Sequence, residues 1–386
     1  MELSVEGIFL SIFWTSLLLC MSTYIFYPIC CFLGARISPL RIRKDKYFPF
    51  VSIIIAAYNE EKHIERKLLN TLALDYPAEK MEILVGSDGS IDGTVAIVQK
   101  FLNQEVTVFD FPENHGKTVV QNACVEAAKG EILVFTDAAS FLGSNALKKL
   151  MANFADPRIG CVAGRVRYVD TAQNITTEGQ GIYWQYEQKI KAAESRLGSL
   201  IGVDGPFYAM RKECYVPLEA NIISDFISPL LVLFQRRLVV LEPEAVVDED
   251  PYSKTQQELN TRRRIVVRGL VGLFQFRELL NPFKNGLTAF QIIFHKLIRW
   301  FVGPLVLFNF MSCLAFYGRM FFDVILFGYL SFFIMVGFGW LLSRFEVNSR
   351  FVTIPYYFTL VNLAATLGII DFLRKKEAIT WKPVRH

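Results

Sequence analysis

The sequence predicts an α/β domain built on a mostly parallel sheet, with membrane-spanning helices on both sides of it in the chain. Between residues 51 and 140, short apolar strands alternate with amphipathic helices, an order typical of parallel sheets. Apolar segments near both ends of the chain are long enough to cross a bilayer as helices. The composition agrees, since 52% of the 386 residues are hydrophobic and only 20% are charged, which is too apolar for an ordinary soluble enzyme.

Charge and cysteine content exclude several classes of function. The net charge of +4 is small and the basic residues cluster beside apolar segments, so a membrane surface fits better than nucleic acid. Seven cysteines, an odd number without a Cys-x-x-Cys pair, argue against a disulfide framework and a zinc site. We therefore expect the lipid bilayer as a partner, no nucleic acid, and a domain in a reducing compartment.

The first apolar segment, residues 7–34, contains no charged residue and exceeds the ~20 residues that a spanning helix requires. It is too long for the core of a cleaved signal peptide, so we interpret residues 1–35 as a retained transmembrane anchor. Five basic residues follow it: Arg36, Arg41, Arg43, Lys44 and Lys46. Because basic residues are enriched on the cytoplasmic side, we expect an integral protein of the plasma or inner membrane whose following domain is cytoplasmic.

Four predicted strands end in polar loops; they cover residues 51–57, 81–85, 109–111 and 132–135. In open α/β sheets ligands bind at the carboxyl ends of the strands, so these loops are candidate binding segments. Tyr58 and Glu60 follow the first strand, Asp88 follows the second, and Asp137 follows the fourth. The alternative is that these side chains only form turns or cap helices.

Lys117 lies in the first turn of a helix that is predicted to run to residue 128. The helix dipole disfavours positive charge at this end, and an anionic ligand would offset that cost. A diphosphate bound against the helix N-terminus and Lys117 fits this pattern. A solvated surface lysine is the alternative that the local sequence leaves open.

These motifs, in this order and spacing, resemble the nucleotide-sugar half of a family 2 glycosyltransferase of the GT-A (Rossmann-like) fold. They are residues 58–61, the loop 87–94, Gly116 with Lys117, and residues 136–138. More closely, the chain resembles the membrane-bound branch that contains cellulose, hyaluronan, chitin and poly-N-acetylglucosamine synthases. The resemblance implies that residues 36–264 form a GT-A domain for a nucleotide-sugar donor. It places the nucleoside near Tyr58, Glu60 and Asp88, and the diphosphate near Lys117.

The resemblance also implies that Asp137 ligates a divalent cation, Mg²⁺ or Mn²⁺, which bridges the donor diphosphate. The family commonly carries Asp-x-Asp at this place, whereas Ala139 stands at the second acidic position here. Ser87 similarly replaces a first aspartate seen in the preceding loop of many members. Because Mg²⁺ is held by one or two carboxylates together with substrate phosphates, one aspartate can still suffice.

The acceptor side is expected in the second half of the domain. Residues 183–191 predict a helix that contains Trp184, and the segment with Gly202, Asp204 and Gly205 resembles the glycine loop of the family. Glycine lets the backbone approach a ligand closely. A plain turn into the next strand is the alternative for this loop.

Asp225 stands at the start of an apolar helix, where an aspartate often only caps the helix. By resemblance it matches the general base of the family, the second residue of an acidic pair whose first member is replaced here by Ser224. An inverting transfer needs a carboxylate that takes the proton of the acceptor hydroxyl while the hydroxyl oxygen attacks the anomeric carbon. We therefore assign this role to Asp225.

Three consecutive arginines stand where polymerising members carry Gln-x-x-Arg-Trp; they are Arg262, Arg263 and Arg264. Consecutive side chains point in different directions around a helix, so one or two of them can meet a diphosphate. The tryptophan, which stacks on the acceptor sugar in the resembling enzymes, is missing here, and this leaves polymerisation open. Trp184, Tyr186 and Tyr252 are candidates to replace it.

The remaining chain predicts further membrane association. Apolar and basic residues mix over residues 265–300, which indicates interfacial amphipathic helices. Residues 301–373 contain three apolar spans, at 301–317, 324–342 and 351–373, and residues 374–386 form a basic tail. Three crossings would leave this tail outside, contrary to the charge bias, so the number of C-terminal spans stays open.

Together these features predict an inverting glycosyltransferase that moves a sugar from a nucleotide-diphosphate sugar, expected to be a uridine one, onto a growing β-linked polysaccharide. Two alternatives remain: transfer of a single sugar to a lipid-linked acceptor, and a membrane scaffold or transporter with an inactive transferase-like domain. No motif encodes the sugar, the linkage, the acceptor or the oligomeric state, because selectivity depends on the shape of a pocket.

Overall fold

The computed structural model describes residues 4–169, 175–249, 255–343 and 350–375. Its centre is an eight-stranded sheet with the order β3-β2-β1-β4-β7-β6-β8-β5. The strands are β1 (Val51–Ala57), β2 (Met81–Asp88), β3 (Val106–Phe111), β4 (Ile132–Asp137), β5 (Phe141–Leu142), β6 (Ile159–Tyr168), β7 (Phe207–Arg211) and β8 (Leu238–Glu249).

Four neighbouring strands, β3, β2, β1 and β4, form the parallel half of the sheet. Ile54 of β1 lies beside Leu84 of β2 on one side and beside Phe135 of β4 on the other. Every residue of β1 and β2 is buried, as expected for parallel strands that are covered on both faces. The carboxyl ends of β1, β2 and β4 therefore lie at one edge of the sheet.

The second half of the sheet contains antiparallel pairs and joins the parallel half at β4. Strand β7 pairs antiparallel with β4 and β6, and Phe207 at its start lies beside Thr136. The loop before β7 is thereby brought next to Asp137. The predicted α/β class is confirmed, and the sheet is mixed, since four of the pairs between described strands are parallel and three are antiparallel.

Helices pack against both faces of the sheet and complete two parts of the core. Alternate strand residues point to opposite faces, so Ile53 and Val134 belong to one cluster while Ile54 and Phe135 belong to the other. The helices as far as residue 275 are α1 (Val5–Ile37), α2 (Ile64–Leu72), α3 (Thr94–Gln99), α4 (Lys117–Ala127), α5 (Ala146–Ala152), α6 (Ile175–Arg196), α7 (Ser224–Phe234) and α8 (Thr255–Gln275).

After a four-residue helix, Pro282–Asn285, four longer helices follow: α9 (Leu287–Trp300), α10 (Val302–Ala315), α11 (Met320–Ser343) and α12 (Arg350–Leu373). Within the described residues three helices are long and apolar enough to cross a membrane, namely α1, α11 and most of α12. Helix α10, which lies within the predicted span 301–317, has only 14 residues. It adds a fourth span only if α10 and α9, which meet at 62°, form one broken span.

Helix α12 differs from α11 in its surroundings. Half of its apolar window is buried inside the protein, against 6% for α11. It packs along α8, where Val266 and Leu270 meet Ala365 and Ile369. The interfacial helix predicted from residue 265 thus corresponds to the later part of α8, and α12 packs against this part. Of the predicted basic tail, residues 376–386 lie outside the described residues.

Candidate active site

A cavity of about 330 Å³ lies at the edge of the sheet where β4, α7 and the loop before β7 meet. Side chains of α6, α8, α9 and α12 form its other walls. Most of the predicted site residues line it: Glu60, Lys117, Asp137, Trp184, Gly202, Asp204, Gly205, Asp225, Arg262 and Arg264. The structure thus brings together residues from both halves of the domain. Tyr58, Asp88 and Arg263 are not among the described residues of its lining.

Lys117 and Asp137 form an ion pair in this cavity. Lys117 is the first residue of α4, and Asp137 is the last residue of β4. The Lys117 Nζ atom lies 2.5 Å from Asp137 Oδ1, and both side chains keep some exposure, 16% and 22%. The carboxylate offsets the unfavourable position of a lysine at a helix N-terminus. The solvated surface lysine that the sequence left open is therefore not what the structure contains.

Asp225 and Lys117 both lie close to Gly205. A Cβ atom added at Gly205 would lie 2.7 Å from Asp225 Oδ2 and 3.5 Å from Lys117 Nζ. The loop also contacts α7 through the backbone, since Val203 N donates to Asp225 O at 3.0 Å. Only glycine leaves room at position 205, so the glycine loop closes tightly over Asp225 and Lys117.

Asp225 does not cap its helix. Helix α7 begins at Ser224, the capping position is Ile223, and no side chain caps its N-terminus. Burial raises the pKa of Asp225 above its ordinary value, while the charge of Lys117 opposes this shift. A carboxylate with a raised pKa is a better proton acceptor near neutral pH than an exposed aspartate.

Asp88 supports the site from outside the cavity. Its buried carboxylate accepts hydrogen bonds from His115 N at 2.7 Å and from Gly116 N at 3.0 Å. Burial raises the pKa of Asp88, and these backbone hydrogen bonds act against the rise. Asp88 thereby fixes the loop before α4 and, through it, the position of Lys117. Its predicted contact with the nucleoside stays a prediction, as does that of Tyr58.

The three consecutive arginines have different environments. Arg262 Nε donates to Glu258 Oε1 at 2.9 Å within α8. Arg263 pairs with Asp371 of α12, with Nη2 at 2.7 Å from Oδ1. Arg264 lines the cavity. The three side chains point in different directions around the helix, as predicted. Only Arg262 and Arg264 of the three line the described part of the cavity, so these two can contact a ligand.

Comparison with known proteins agrees with this geometry. The family model described as "Glycosyl transferase family 2" matches residues 52–215, from β1 to just beyond β7. The matched segment is thus similar to glycosyl transferase family 2. The resemblance to a family 2 glycosyltransferase that was drawn from the motifs is confirmed for these residues.

Two curated relatives of the glycosyltransferase domain illustrate the similarity. A "Poly-beta-1,6-N-acetyl-D-glucosamine synthase" of Staphylococcus aureus (strain COL) is 29% identical over 184 residues, which are 46% of this chain and 44% of the relative. An "N-acetylglucosaminyltransferase" of Rhizobium meliloti (strain 1021) is 28% identical over 176 residues, 44% of this chain and 41% of the relative. The chain thus spans less than half the length of these relatives.

A solved structure shares the fold over nearly the whole chain. The mannosyltransferase PcManGT from Pyrobaculum calidifontis, in complex with GDP-Man and Mn²⁺, superposes with a TM-score of 0.71. The match covers 95% of this chain and 100% of PcManGT at 21% identity. At this identity the likeness shows the GT-A fold alone.

Lys67 supports the candidate site from outside the cavity, and the sequence analysis missed it. It is fully buried in α2 and donates to Thr136 Oγ1 at 2.8 Å and to Ser140 O at 2.6 Å. Both acceptors belong to the turn that carries Asp137. Burial lowers the pKa of Lys67 to about 7, and the charge of Asp137 opposes the shift. The available signal was its place on the apolar stripe of α2, three residues after Ile64.

Arg268 was missed as well. Its Nη2 donates to Thr118 Oγ1 at 2.8 Å, to Ile222 O at 2.7 Å and to Ala220 O at 3.0 Å. Burial lowers the pKa of Arg268 to about 10, and Asp225 opposes this shift. Arg268 therefore joins α8 to the first turn of α4 and to the segment before α7, the two elements that carry Lys117 and Asp225.

Polar and aromatic contacts of α6 hold the residues that were predicted for the acceptor side. Asp204 forms an ion pair with buried Lys191. Trp184 donates from its indole to Val166 O at 3.4 Å, and its ring meets Tyr168 edge-on. Of the other aromatic candidates, Tyr186 donates to Tyr24 O at 2.9 Å, and Tyr252 lies outside the described residues.

The described side chains at the cavity determine whether a divalent cation can be held there. Among the described residues no three Asp, Glu, His or Cys side chains cluster as a metal site. Ala139 is buried and offers no side-chain oxygen. Asp137 alone ends β4, and one carboxylate can hold Mg²⁺ or Mn²⁺ when phosphate oxygens complete the coordination. The residues present therefore fit a cation that arrives with a diphosphate ligand.

Proposed function

We propose that this protein transfers a sugar from a nucleotide-diphosphate sugar, expected to be a uridine one, onto an acceptor hydroxyl with inversion at the anomeric carbon. The observation that carries the proposal is the convergence of Asp225, Asp137 and Lys117 around Gly205 in one cavity. These groups supply a proton acceptor, a metal-binding carboxylate and a cation for phosphate, which are the groups that such a transfer requires.

In this mechanism Asp225 takes the proton of the acceptor hydroxyl as its oxygen attacks the anomeric carbon. The bond between that carbon and the diphosphate oxygen breaks, and the negative charge passes to the departing diphosphate. Lys117 and the backbone N–H groups in the first turn of α4 then stabilise the leaving group. Arg264 is the arginine of the 262–264 segment that we place nearest to this charge.

Asp137 would hold Mg²⁺ or Mn²⁺ together with oxygens of the donor diphosphate. A bound cation supplies charge stabilisation for the leaving diphosphate. The Mn²⁺ in the complex of PcManGT supports a divalent cation here. Lys117 then moves from the carboxylate to a phosphate oxygen, because an anionic ligand competes for the same ammonium group.

The acceptor expected from the sequence is a growing β-linked polysaccharide. The similarity to a poly-N-acetylglucosamine synthase supports it. A second candidate is transfer of one sugar to a lipid-linked acceptor. The observation in its favour is that Tyr24 of α1 and Val361 and Ala365 of α12 line the cavity, and both helices are apolar enough to cross a membrane.

Radiolabelled donor incubated with membranes that contain the protein separates the two acceptors. A ladder or a high-mass smear on a gel supports polymerisation. A single product that partitions into organic solvent supports the lipid-linked acceptor. If neither product forms with any nucleotide sugar, the inactive scaffold becomes the better account.

We also propose that the protein is integral to the plasma or inner membrane, with its glycosyltransferase domain in the cytoplasm. The basic cluster after α1 supports this orientation. Exposed apolar side chains from the end of α8 onward support contact with the bilayer surface; they are Phe274, Phe283, Leu287 and Phe290. If α9 and α10 form a re-entrant pair rather than a span, the tail after α12 also lies in the cytoplasm, in agreement with its charge.

A further inference from the structure

Two basic residues of α9 line a wall of the cavity that is otherwise formed by apolar helices. They are Lys296 and Arg299. Tyr24 of α1 lies 5.2 Å from the Arg299 guanidinium, and it also contacts Phe358 of α12. Trp300, the next residue of α9, meets Phe226, the neighbour of Asp225. This wall therefore connects the membrane-type helices with the proposed base.

The two cations of this wall share one carboxylate of the cavity lining, that of Glu187. Glu187 of α6 accepts from Arg299 Nη1 at 2.6 Å and from Lys296 Nζ at 3.3 Å. The Glu187 Oε1 atom that accepts from Lys296 also lies 3.1 Å from His295 Nε2, and His295 Nδ1 lies 2.6 Å from Oε1 of buried Glu194. Glu187 is thus the ion-pair partner of both Lys296 and Arg299. The Lys296 side chain remains 22% exposed.

Arg299 has donors that the described residues do not satisfy. The residue is 7% exposed, and its Nε and Nη2 atoms are buried without a hydrogen-bond acceptor in the described part of the chain. Three tyrosine rings, those of Tyr24, Tyr183 and Tyr186, lie between 5.2 and 5.5 Å from its guanidinium carbon. Buried donors normally have a hydrogen-bond partner, so Arg299 Nε and Nη2 can donate to an acceptor group of a ligand.

Lys296 and the base Asp225 contact the glycine loop at different residues. The Lys296 side chain reaches within 3.9 Å of a Cβ atom placed on Gly202, whereas Asp225 lies against Gly205. Three residues of chain span at most ~10 Å, so the loop positions that Lys296 and Asp225 contact are no farther apart than this. A phosphate on the reacting oxygen itself would lie at the Asp225 end of the loop, away from Lys296.

We propose that Lys296 and Arg299 bind the phosphate of an acceptor sugar that is attached to a membrane lipid through a phosphate or diphosphate. The sugar lies along the glycine loop with its hydroxyl at Asp225, and the hydrocarbon chain lies against Trp300 and α12. This inference rests on the sugar transfer proposed above, and it selects the lipid-linked acceptor.

The test compares two acceptors in the full-length protein reconstituted in nanodiscs. One is N-acetylglucosamine on a short prenyl diphosphate; the other is the uncharged alkyl glycoside of the same sugar. Lys296→Gln should raise the KM for the diphosphate acceptor at least tenfold more than the KM for the glycoside. Lys284→Gln, at an exposed lysine before α9, should change neither KM. Equal effects of Lys296→Gln on both acceptors overturn the proposal.

A binding measurement keeps the subsite testable when no transfer is detected. The wild-type protein should bind the diphosphate acceptor at least tenfold more tightly than the glycoside, and Lys296→Gln and Arg299→Lys should each reduce this preference. No preference in the wild-type protein overturns the subsite, whereas absent transfer with an intact preference overturns only the proposed function. Displacement by micromolar pyrophosphate would assign these cations to a free anion and contradict the lipid-linked acceptor.

Discussion

The Lys117 ammonium lies 2.5 Å from Asp137 Oδ1, so the cation at the start of α4 and the carboxylate at the end of β4 share one position in the cavity. Neither group has a second carboxylate of the Asp-x-Asp type beside it, because Ala139 replaces that residue. In the proposed mechanism a donor diphosphate separates this pair: Lys117 would bind the diphosphate, and Asp137 would be left to hold a cation. This exchange makes donor binding and metal binding mutually dependent.

Lys117→Met should weaken donor binding about 10- to 100-fold, because a hydrogen bond to a charged group contributes about 1.5–3 kcal/mol. Mn²⁺ affinity, measured by electron paramagnetic resonance with the nucleoside diphosphate present, should fall in parallel. Lys62→Met, at an exposed lysine before α2, is the matched control and should leave both affinities unchanged. A variant at Lys117 with normal donor affinity contradicts the assigned role.

Asp225→Asn should abolish transfer and yet raise the Tm at neutral pH. Burial raises the pKa of Asp225 in the folded chain, so its stabilising contribution is full below the ordinary value of about 3.9 and is lost as the pH rises through the folded value. Asparagine avoids this loss. The difference in Tm between the variant and the wild-type protein should therefore shrink as the pH is lowered toward ~4. A difference that stays constant from pH 7 to pH 4 would show that Asp225 has no raised pKa.

Gly205→Ala should lower kcat more than it lowers stability. The new methyl group would lie 2.7 Å from Asp225 Oδ2, closer than such contacts occur, so the base must shift. We expect at least a tenfold loss of kcat with retained donor affinity. Gly181→Ala, where no atom lies within 4 Å of the added carbon, is the control. Equal kcat values for the two variants would mean that the loop does not position Asp225.

Lys67→Met should reduce transfer by one to two orders of magnitude although Lys67 is outside the cavity lining. Its ammonium connects Thr136 Oγ1 and Ser140 O, and the turn between them carries Asp137. The kcat/KM for the donor and the Mn²⁺ affinity are the quantities to measure. If both match those of the Lys62→Met control, then Lys67 contributes only to packing.

The sequence was informative where local pattern determines structure. Apolar runs predicted β1, β2 and β4, and parallel pairing then placed the ends of β1 and β4, which precede Glu60 and carry Asp137, at one edge. The resemblance of Asp225 to the second residue of the family's acidic pair was sufficient to propose it as a site residue. Such features depend on strand order and on a few neighbouring residues, both of which are visible in one sequence.

Contacts between residues that are far apart in the chain could not be predicted from the sequence. Arg263 and Asp371 are 108 residues apart in the chain, and nothing local distinguishes Arg263 from Arg262 or Arg264. The contact depends on α12 lying along α8, whereas the composition of α12 indicated only a membrane span. Lys67 was hidden for a similar reason, since its partners are 69 and 73 residues away.

The most direct test of the central claim is sugar transfer by the purified full-length protein from a panel of labelled nucleotide sugars, compared with Asp225→Asn under identical conditions. We expect transfer from one donor, with inverted configuration at the anomeric carbon, and a loss of at least a thousandfold in the variant while donor binding persists. Transfer by Asp225→Asn at the wild-type rate would contradict the account.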